Sequence, residues 1–198
     1  MFRYERQALR RGFRLIAGVD EVGRGSLAGP VVASAVILSP DQAIEGVADS
    51  KRLSPRRRED IFYKIMATSM VGIGAVNEAI IDEINIFRAA LKAMEIAIFN
   101  LQVKPDWVLI DGPMEPEVPY PMTQIIRGDE ICASIAAASI IAKVIRDKMM
   151  RVYDKFYPQY GFSQHKGYST RAHIAKLKGF GPSPIHRYTF EPVRNLGK

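Results

Sequence analysis

Three apolar stretches of strand length each lead to an acidic residue, and few folds accommodate that pattern. Leu15-Ile16-Ala17-Gly18-Val19 runs into Asp20-Glu21 and then Gly23-Arg24-Gly25. Trp107-Val108-Leu109-Ile110 stops at Asp111-Gly112-Pro113, and Met122-Thr123-Gln124-Ile125-Ile126 ends at Arg127-Gly128-Asp129. Short apolar runs read as buried strands, and strand ends of an α/β sheet gather around ligands. If the three ends share one edge, four carboxylates fall in a small volume. Like charges raise one another's pKa, and a hard divalent ion held by oxygen, Mg²⁺ or Mn²⁺, is the ordinary remedy. Two such ions about 3.5–4 Å apart can activate a water and stabilise the leaving oxygen during in-line attack on a phosphodiester. Adjacent residues of a strand face opposite sides, so Asp20 and Glu21 serve one ion only if the strand ends or bulges there.

The rest of the chain supports an α/β reading. Pro30 to Leu38 is apolar enough to be buried on both faces, and its short Gly-rich connection to the first strand predicts a hairpin. Met70 to Val76 adds a third strand and completes an antiparallel meander. Ser54 and Pro55 suit the cap and first position of a helix running through Met66. Its first turn carries Arg56, Arg57 and Arg58, which oppose the helix dipole. A long helix is expected from Glu78 to Leu101, because Ile84, Phe87, Leu91, Met94, Ile98 and Leu101 recur at spacings of three and four. Small residues from Ala133 to Ser139 predict a helix over 130–151 that packs close to a sheet. Met1 to Arg14 reads as a short helix or an arm, Ser169 or Thr170 caps a short helix to Gly179, and the tail from Gly181 shows no regular pattern.

A net charge of +7 favours polyanionic partners, nucleic acid before an anionic membrane. Beyond Lys143, basic residues interleave with aromatics, a pattern that suits phosphate neutralisation with ring stacking, although some of the rings must be core. The one cysteine, Cys132, excludes an intramolecular disulfide and a cysteine-rich zinc site and fits a reducing compartment, the cytoplasm. Its apolar neighbours predict buried packing. Uncharged residues run only from Ile131 to Ala142, too short a stretch to cross a bilayer.

Asp20-Glu21-Val22-Gly23-Arg24-Gly25, Asp49-Ser50-Lys51-Arg52-Leu53-Ser54, Asp111-Gly112, Gly128-Asp129, the run from Ser134 to Asp147, and His165-Lys166-Gly167-Tyr168 together resemble the bacterial type 2 ribonuclease H family. The match keeps this order from about Leu15 to Pro192. The resemblance implies an RNase H-like α/β fold, a mixed five-stranded sheet flanked by helices. Within a single domain spanning 1–198 it implies a catalytic core over about 15–145 and a C-terminal helical extension over about 146–198 that completes a substrate groove. It further implies metal-dependent endonucleolytic cutting of RNA in RNA/DNA hybrids and 5′ of single ribonucleotides embedded in duplex DNA, with 3′-hydroxyl and 5′-phosphate ends.

By that likeness Asp20, Glu21, Asp111 and Asp129 are the catalytic acids and hold two Mg²⁺ or Mn²⁺ ions. Gly23, Arg24, Gly25 and Tyr168 read the junction between a ribonucleotide and the following deoxynucleotide, and Lys51, Lys143 and Arg146 are candidates for phosphate contacts. Two departures stand out. Ser26 replaces the family's proline, which is expected to loosen the turn, and Glu130-Ile131 follow Asp129 where a small residue and lysine are usual. The resemblance leaves a sliding clamp open as a partner; monomer is the default state and no membrane association is implied.

Two other readings compete. Histidines 165, 173 and 186 could serve as acid and base on a ribose hydroxyl without metal, or the acids could be turn residues of a non-catalytic nucleic-acid binding module. Survival of cleavage in excess EDTA marks the first, and absence of cleavage with retained hybrid binding marks the second.

Overall fold

The computed structural model describes residues 1–38, 46–47 and 53–196. Lys51, an expected phosphate contact, lies outside the described residues. The strands β1 (Ile16–Val22), β2 (Val31–Ile37), β3 (Met70–Val76), β4 (Trp107–Asp111) and β5 (Met122–Ile125) form one mixed sheet in the order β3-β2-β1-β4-β5. The meander β1-β2-β3 is antiparallel, as the glycine-rich connection predicts, while β4 and β5 add in parallel on the other side of β1. Strand β1 is therefore central and buried, which explains its unbroken apolar run.

Helices cover both faces. On one, Ala17, Val19, Ala33 and Ala35 pack on Ala89, Ala93, Met94 and Ala97 of α4 (Ile86–Phe99). Full burial of Met94 and Ile98 there is worth about 1.5–3 kcal/mol each. On the other, Val36 meets Ile61, Phe62 and Ile65 of α2 (Pro55–Thr68) and Ala136, Ala137, Ile140 and Ile141 of α6 (Ala133–Phe156). Helix α6 sits unusually deep against β1. A Cβ on Gly18 would lie 2.1 Å from the backbone carbonyl carbon of Ser134, so no larger residue fits there without displacing the helix.

The N-terminal segment is a helix, α1 (Arg3–Arg10), and its buried Glu5 has a use the sequence does not announce. Helix α6 has no cap from its own N-cap residue, Cys132. Glu5 Oε1 supplies one from a distance of well over a hundred residues, accepting from the Ser134 N–H (2.8 Å), the Ser134 hydroxyl (2.9 Å) and the Cys132 thiol (3.1 Å). Burial, reinforced by Glu5, pushes the Cys132 thiol up, so it is inert packing as expected.

Several boundaries differ from those expected. The first strand continues through Val22 rather than ending at Val19, paired with β2 to its last residue. The long helix over 78–101 is two, α3 (Glu78–Ile84) and α4, because Asn85 adopts φ 70° and turns its side-chain oxygen onto the N–H groups of Phe87 (3.0 Å) and Arg88 (3.1 Å). The helix over 130–151 begins as a short turn, α5 (Gly128–Ile131), breaks at extended Cys132 and continues as α6 to Phe156. Asp129 is thus in α5, not at the end of β5. Further on come α7 (Phe162–His165), α8 (Arg171–Phe180), capped by Thr170, and α9 (Val193–Leu196) in the tail read as irregular. Among the described residues no helix is long and apolar enough to cross a membrane.

Candidate active site

The acids meet at one end of the sheet. Val19 pairs with Ile110 in the parallel ladder, and one step further the same register sets Asp20 beside Asp111. Asp111 Oδ1 accepts from the Gly128 N–H (2.6 Å) and the Asp129 N–H (3.3 Å), which ties α5 and its Asp129 to the end of β4. Asp20 is buried, hydrogen-bonded to Ser139 of α6, and accepts from the Glu21 N–H at 2.7 Å. Burial first, then the negative charge of Glu21 and Asp111, holds its carboxyl well above the ordinary value. Glu21 is also raised by burial and by Asp111, and drawn back by Arg24, whose Nη1 lies 3.2 Å from Oε1.

No bulge meets the condition placed on Asp20 and Glu21: pairing with β2 runs regularly through both, and β1 ends one residue beyond them, at Val22. They alternate: Asp20 turns to Ser139 on the α6 side, while Glu21 meets Arg24, whose Nη1 also lies 3.9 Å from Met114 Sδ, part of the core on the α4 side. Among the described residues no group of three or more His, Cys, Asp or Glu side chains is already arranged to hold a metal ion. The donor set nevertheless suits a hard divalent cation. It is all oxygen, neighbouring carboxylates help raise Asp20 and Glu21, and Glu21 Oε2 is buried with no hydrogen-bond partner among the described residues. Glu130, the extra carboxylate, is paired with Arg127.

Next to the acids runs the turn Gly23-Arg24-Gly25-Ser26, with Ser26 fully buried. Two fully buried arginines hold this segment, Arg187 on the turn itself and Arg146 on the residues that follow it. Arg187 donates from Nε to Gly29 O (3.0 Å), from Nη1 to Arg24 O (2.9 Å), and from Nη2 to Gly23 O and Gly29 O (both 2.7 Å). Arg146 donates to Pro30 O (2.9 Å), Ala28 O (3.1 Å) and Lys166 O (2.9 Å). Gly23 has φ 96°, and a Cβ there would strike Arg146 Nε at 2.2 Å, so glycine is required on both counts. Burial and the Arg146 charge bring Arg187 down to about 9, still cationic at neutral pH. Arg146 is therefore withdrawn from any exposed phosphate, a correction to its expected role: it braces the turn from inside.

Tyr168 is brought to this turn from far along the chain. It forms an isolated antiparallel bridge with Ser26, and the adjacent Leu27 N–H donates to Gly167 O at 2.8 Å. Under its ring lie Arg146 Cζ at 5.4 Å and Lys143 Nζ at 5.6 Å. Half-buried Lys143 is held by Asp147 at 2.8 Å. The histidines are elsewhere in character. His173 and His186 are fully buried, 3.0 Å apart through their Nε2 atoms, and His165 stacks on His173 with ring centroids at 4.2 Å. Burial first lowers both His173 and His186 to about 4, helped by the charge of His165 at His173 and of His173 at His186. They are unsuited to acid–base chemistry on a bound ribose. Tyr160 and Phe162, among the aromatics read as potential stacking rings, are core.

Sequence reasoning missed Ser139, Glu5, Arg187 and the histidine cluster. Ser139 sits in an alanine-rich run that reads as packing alone, and Arg187 in a proline-rich tail whose bases look solvated. No local pattern marks either.

The chain matches the family model described as Ribonuclease HII over residues 17–193. It is 51% identical to ribonuclease HII of Geobacter sulfurreducens over 197 residues, 98% of this chain and 91% of the relative. The crystal structure of the ribonuclease H2 from Pyrococcus horikoshii OT3 superposes with a TM-score of 0.79 at 27% identity, covering 93% of this chain and 97% of that one. The Archaeoglobus fulgidus RNase HII, solved in complex with PCNA, superposes with a TM-score of 0.72 at 27% identity, covering 84% of this chain and 88% of that one.

Proposed function

This chain belongs to the ribonuclease HII family, enzymes that act on RNA/DNA hybrids, and from that premise we propose that it also cuts 5′ of single ribonucleotides embedded in duplex DNA, leaving 3′-hydroxyl and 5′-phosphate ends. Its role is then ribonucleotide removal during DNA repair and replication. What supports the reading is that Asp111 lies close enough to act on both Asp20 and Glu21 and accepts the Asp129 N–H, beside a glycine turn bridged to Tyr168.

Those four acids would hold two Mg²⁺ or Mn²⁺ ions. When bound, such ions supply a nucleophilic hydroxide and charge stabilisation at the leaving oxygen. The chain's own groups orient and select. Ser139 and the Glu21 N–H aim Asp20, while the Gly128 and Asp129 N–H groups aim Asp111. The Gly23-Arg24-Gly25 backbone, free of side-chain bulk at its glycines, approaches the 2′-hydroxyl that distinguishes RNA from DNA. Tyr168 packs on the following sugar, which lacks that hydroxyl. Lys143 and Lys51 contact phosphates, and the region over about 146–198 completes the groove.

Asp20→Asn tests this directly. It keeps size and hydrogen bonding while removing a metal-binding charge, so cleavage should vanish while hybrid binding, measured at matched salt, persists. Unchanged cleavage contradicts the role given to Asp20.

A further inference from the structure

The two halves of the proposed recognition element, the turn at 23–26 and Tyr168, are both referenced to one short segment, Ser183 to Arg187. From one side, Arg187 grips Gly23 O and Arg24 O, its N–H donates to Leu27 O (2.9 Å), and Ile185 O accepts from the Gly29 N–H (2.9 Å). From the other, His186 reaches Tyr168 through His173. The proton positions along this path follow from groups that can act in only one way. A carbonyl only accepts, so His173 Nδ1, 2.9 Å from Tyr168 O, carries a proton and donates.

In neutral His173 its Nε2 is then an acceptor, and His186 Nε2, 3.0 Å away, must be the donor. His186 Nδ1 is left as an acceptor. The backbone requires the same thing independently, because the Ser183 N–H, which only donates, points at that nitrogen from 2.9 Å. Both ends of the chain of bonds dictate the same tautomers, with no conflict in between. His165 is fixed likewise: Gly167 N–H donates to its Nδ1 (3.2 Å), so its Nε2 donates to Tyr160 O (2.9 Å), and its ring stacks on His173. Tyr168 O also accepts the Thr170 N–H at 2.8 Å, which occupies its second lone pair. Adding a proton to either ring of the facing pair would set two N–H groups against each other, and burial already disfavours that form.

We propose that His173 and His186 are positioning residues, a directional relay from Ser183 that fixes the Tyr168 backbone opposite the Gly23-Arg24-Gly25 turn and so sets the enzyme's preference for a ribonucleotide–deoxynucleotide junction. The inference rests on the reading of Tyr168 given above. A single segment carries both His186 and Arg187, so the spacing between turn and tyrosine is set by adjacent residues rather than by two independent loops.

The test compares cleavage of a DNA duplex holding one ribonucleotide with cleavage of a uniform RNA/DNA hybrid, and reads the ratio of the two rates. His173→Leu leaves a buried carbonyl and a buried ring N–H short of partners, and should lower the ratio about tenfold. His173→Gln, whose amide can both donate and accept, should restore most of it. Tyr168→Ala separates the two levels of the argument. If it lowers the ratio while His173→Leu slows both substrates equally, the relay is wrong; if Tyr168→Ala leaves the ratio unchanged, the reading of Tyr168 itself is wrong. Long-range ¹⁵N–¹H correlation spectra of the unsubstituted protein give a check that needs no variant to fold. Protons on His186 Nε2 and His173 Nδ1 are expected, and the opposite tautomers would overturn the relay.

Discussion

Replacing Arg187 with methionine should be among the most damaging single changes available outside the acids. The guanidinium makes four hydrogen bonds to the carbonyls of Gly23, Arg24 and Gly29, all at 2.7–3.0 Å. Hydrogen bonds from a charged donor are worth about 1.5–3 kcal/mol each, and a buried carbonyl left without one loses about 1–3 kcal/mol. Arg24 O and Gly29 O lose this donor, and Gly23 O keeps only the Ser26 N–H at 3.4 Å. Methionine fills much of the volume, and water entering from the Arg24 side can satisfy part of the deficit, so the net loss should be about 3–5 kcal/mol. Arg187→Lys should recover little, because a single ammonium cannot span three carbonyls held by a planar fork. Urea unfolding followed by circular dichroism measures the loss. Cleavage under conditions where the variant is still folded should also fall, since the turn is held by the same bonds. A loss below about 1 kcal/mol, or full activity in Arg187→Met, would refute the claim that this side chain holds the turn.

Glu5→Ala removes the distant cap of α6 and should cost about 1–2 kcal/mol, with faster hydrogen exchange at the Ser134 amide, whereas Glu5→Gln should recover most of it. Stability should also fall on mild acidification for a reason specific to the histidines. Their folded values of about 4 lie below an unfolded value near 6.5, so the contribution is complete above about pH 6.5 and is lost as pH drops toward 4, where the unfolded chain takes up protons that the fold refuses. With solvent screening allowed for, about 1–2 kcal/mol per ring is expected. A smaller drop between pH 7 and pH 5 in His173→Gln than in the unsubstituted protein identifies this component; equal drops would exclude it.

What was legible in the sequence is what local pattern encodes. The strands announce themselves by apolar runs broken at Asp or Gly, so the sheet and its meander follow from residue order, whereas the sequence set the approach of the acids only as a condition on those strand ends. The Asn85 break was hidden because the apolar stripe of α3 and α4 continues across it, and only the left-handed backbone of one residue marks the boundary. Arg146 looked like a phosphate ligand because its helical neighbours are basic. Its burial depends on carbonyls of Ala28, Pro30 and Lys166, contacts that no local window contains. The same is true of Arg187, Glu5 and the paired histidines. Long-range polar clamps are chosen by the tertiary fold, and a sequence read in windows sees only a charged residue.

The most direct trial of the catalytic account is to incubate the enzyme with a DNA duplex containing one ribonucleotide, with Mg²⁺ and with excess EDTA, and to map the nick and its ends. A single Mg²⁺-dependent cut 5′ of the ribonucleotide, with 3′-hydroxyl and 5′-phosphate termini, is expected. Cleavage that survives EDTA, or a 2′,3′-cyclic phosphate left by attack of the ribose hydroxyl, would contradict it.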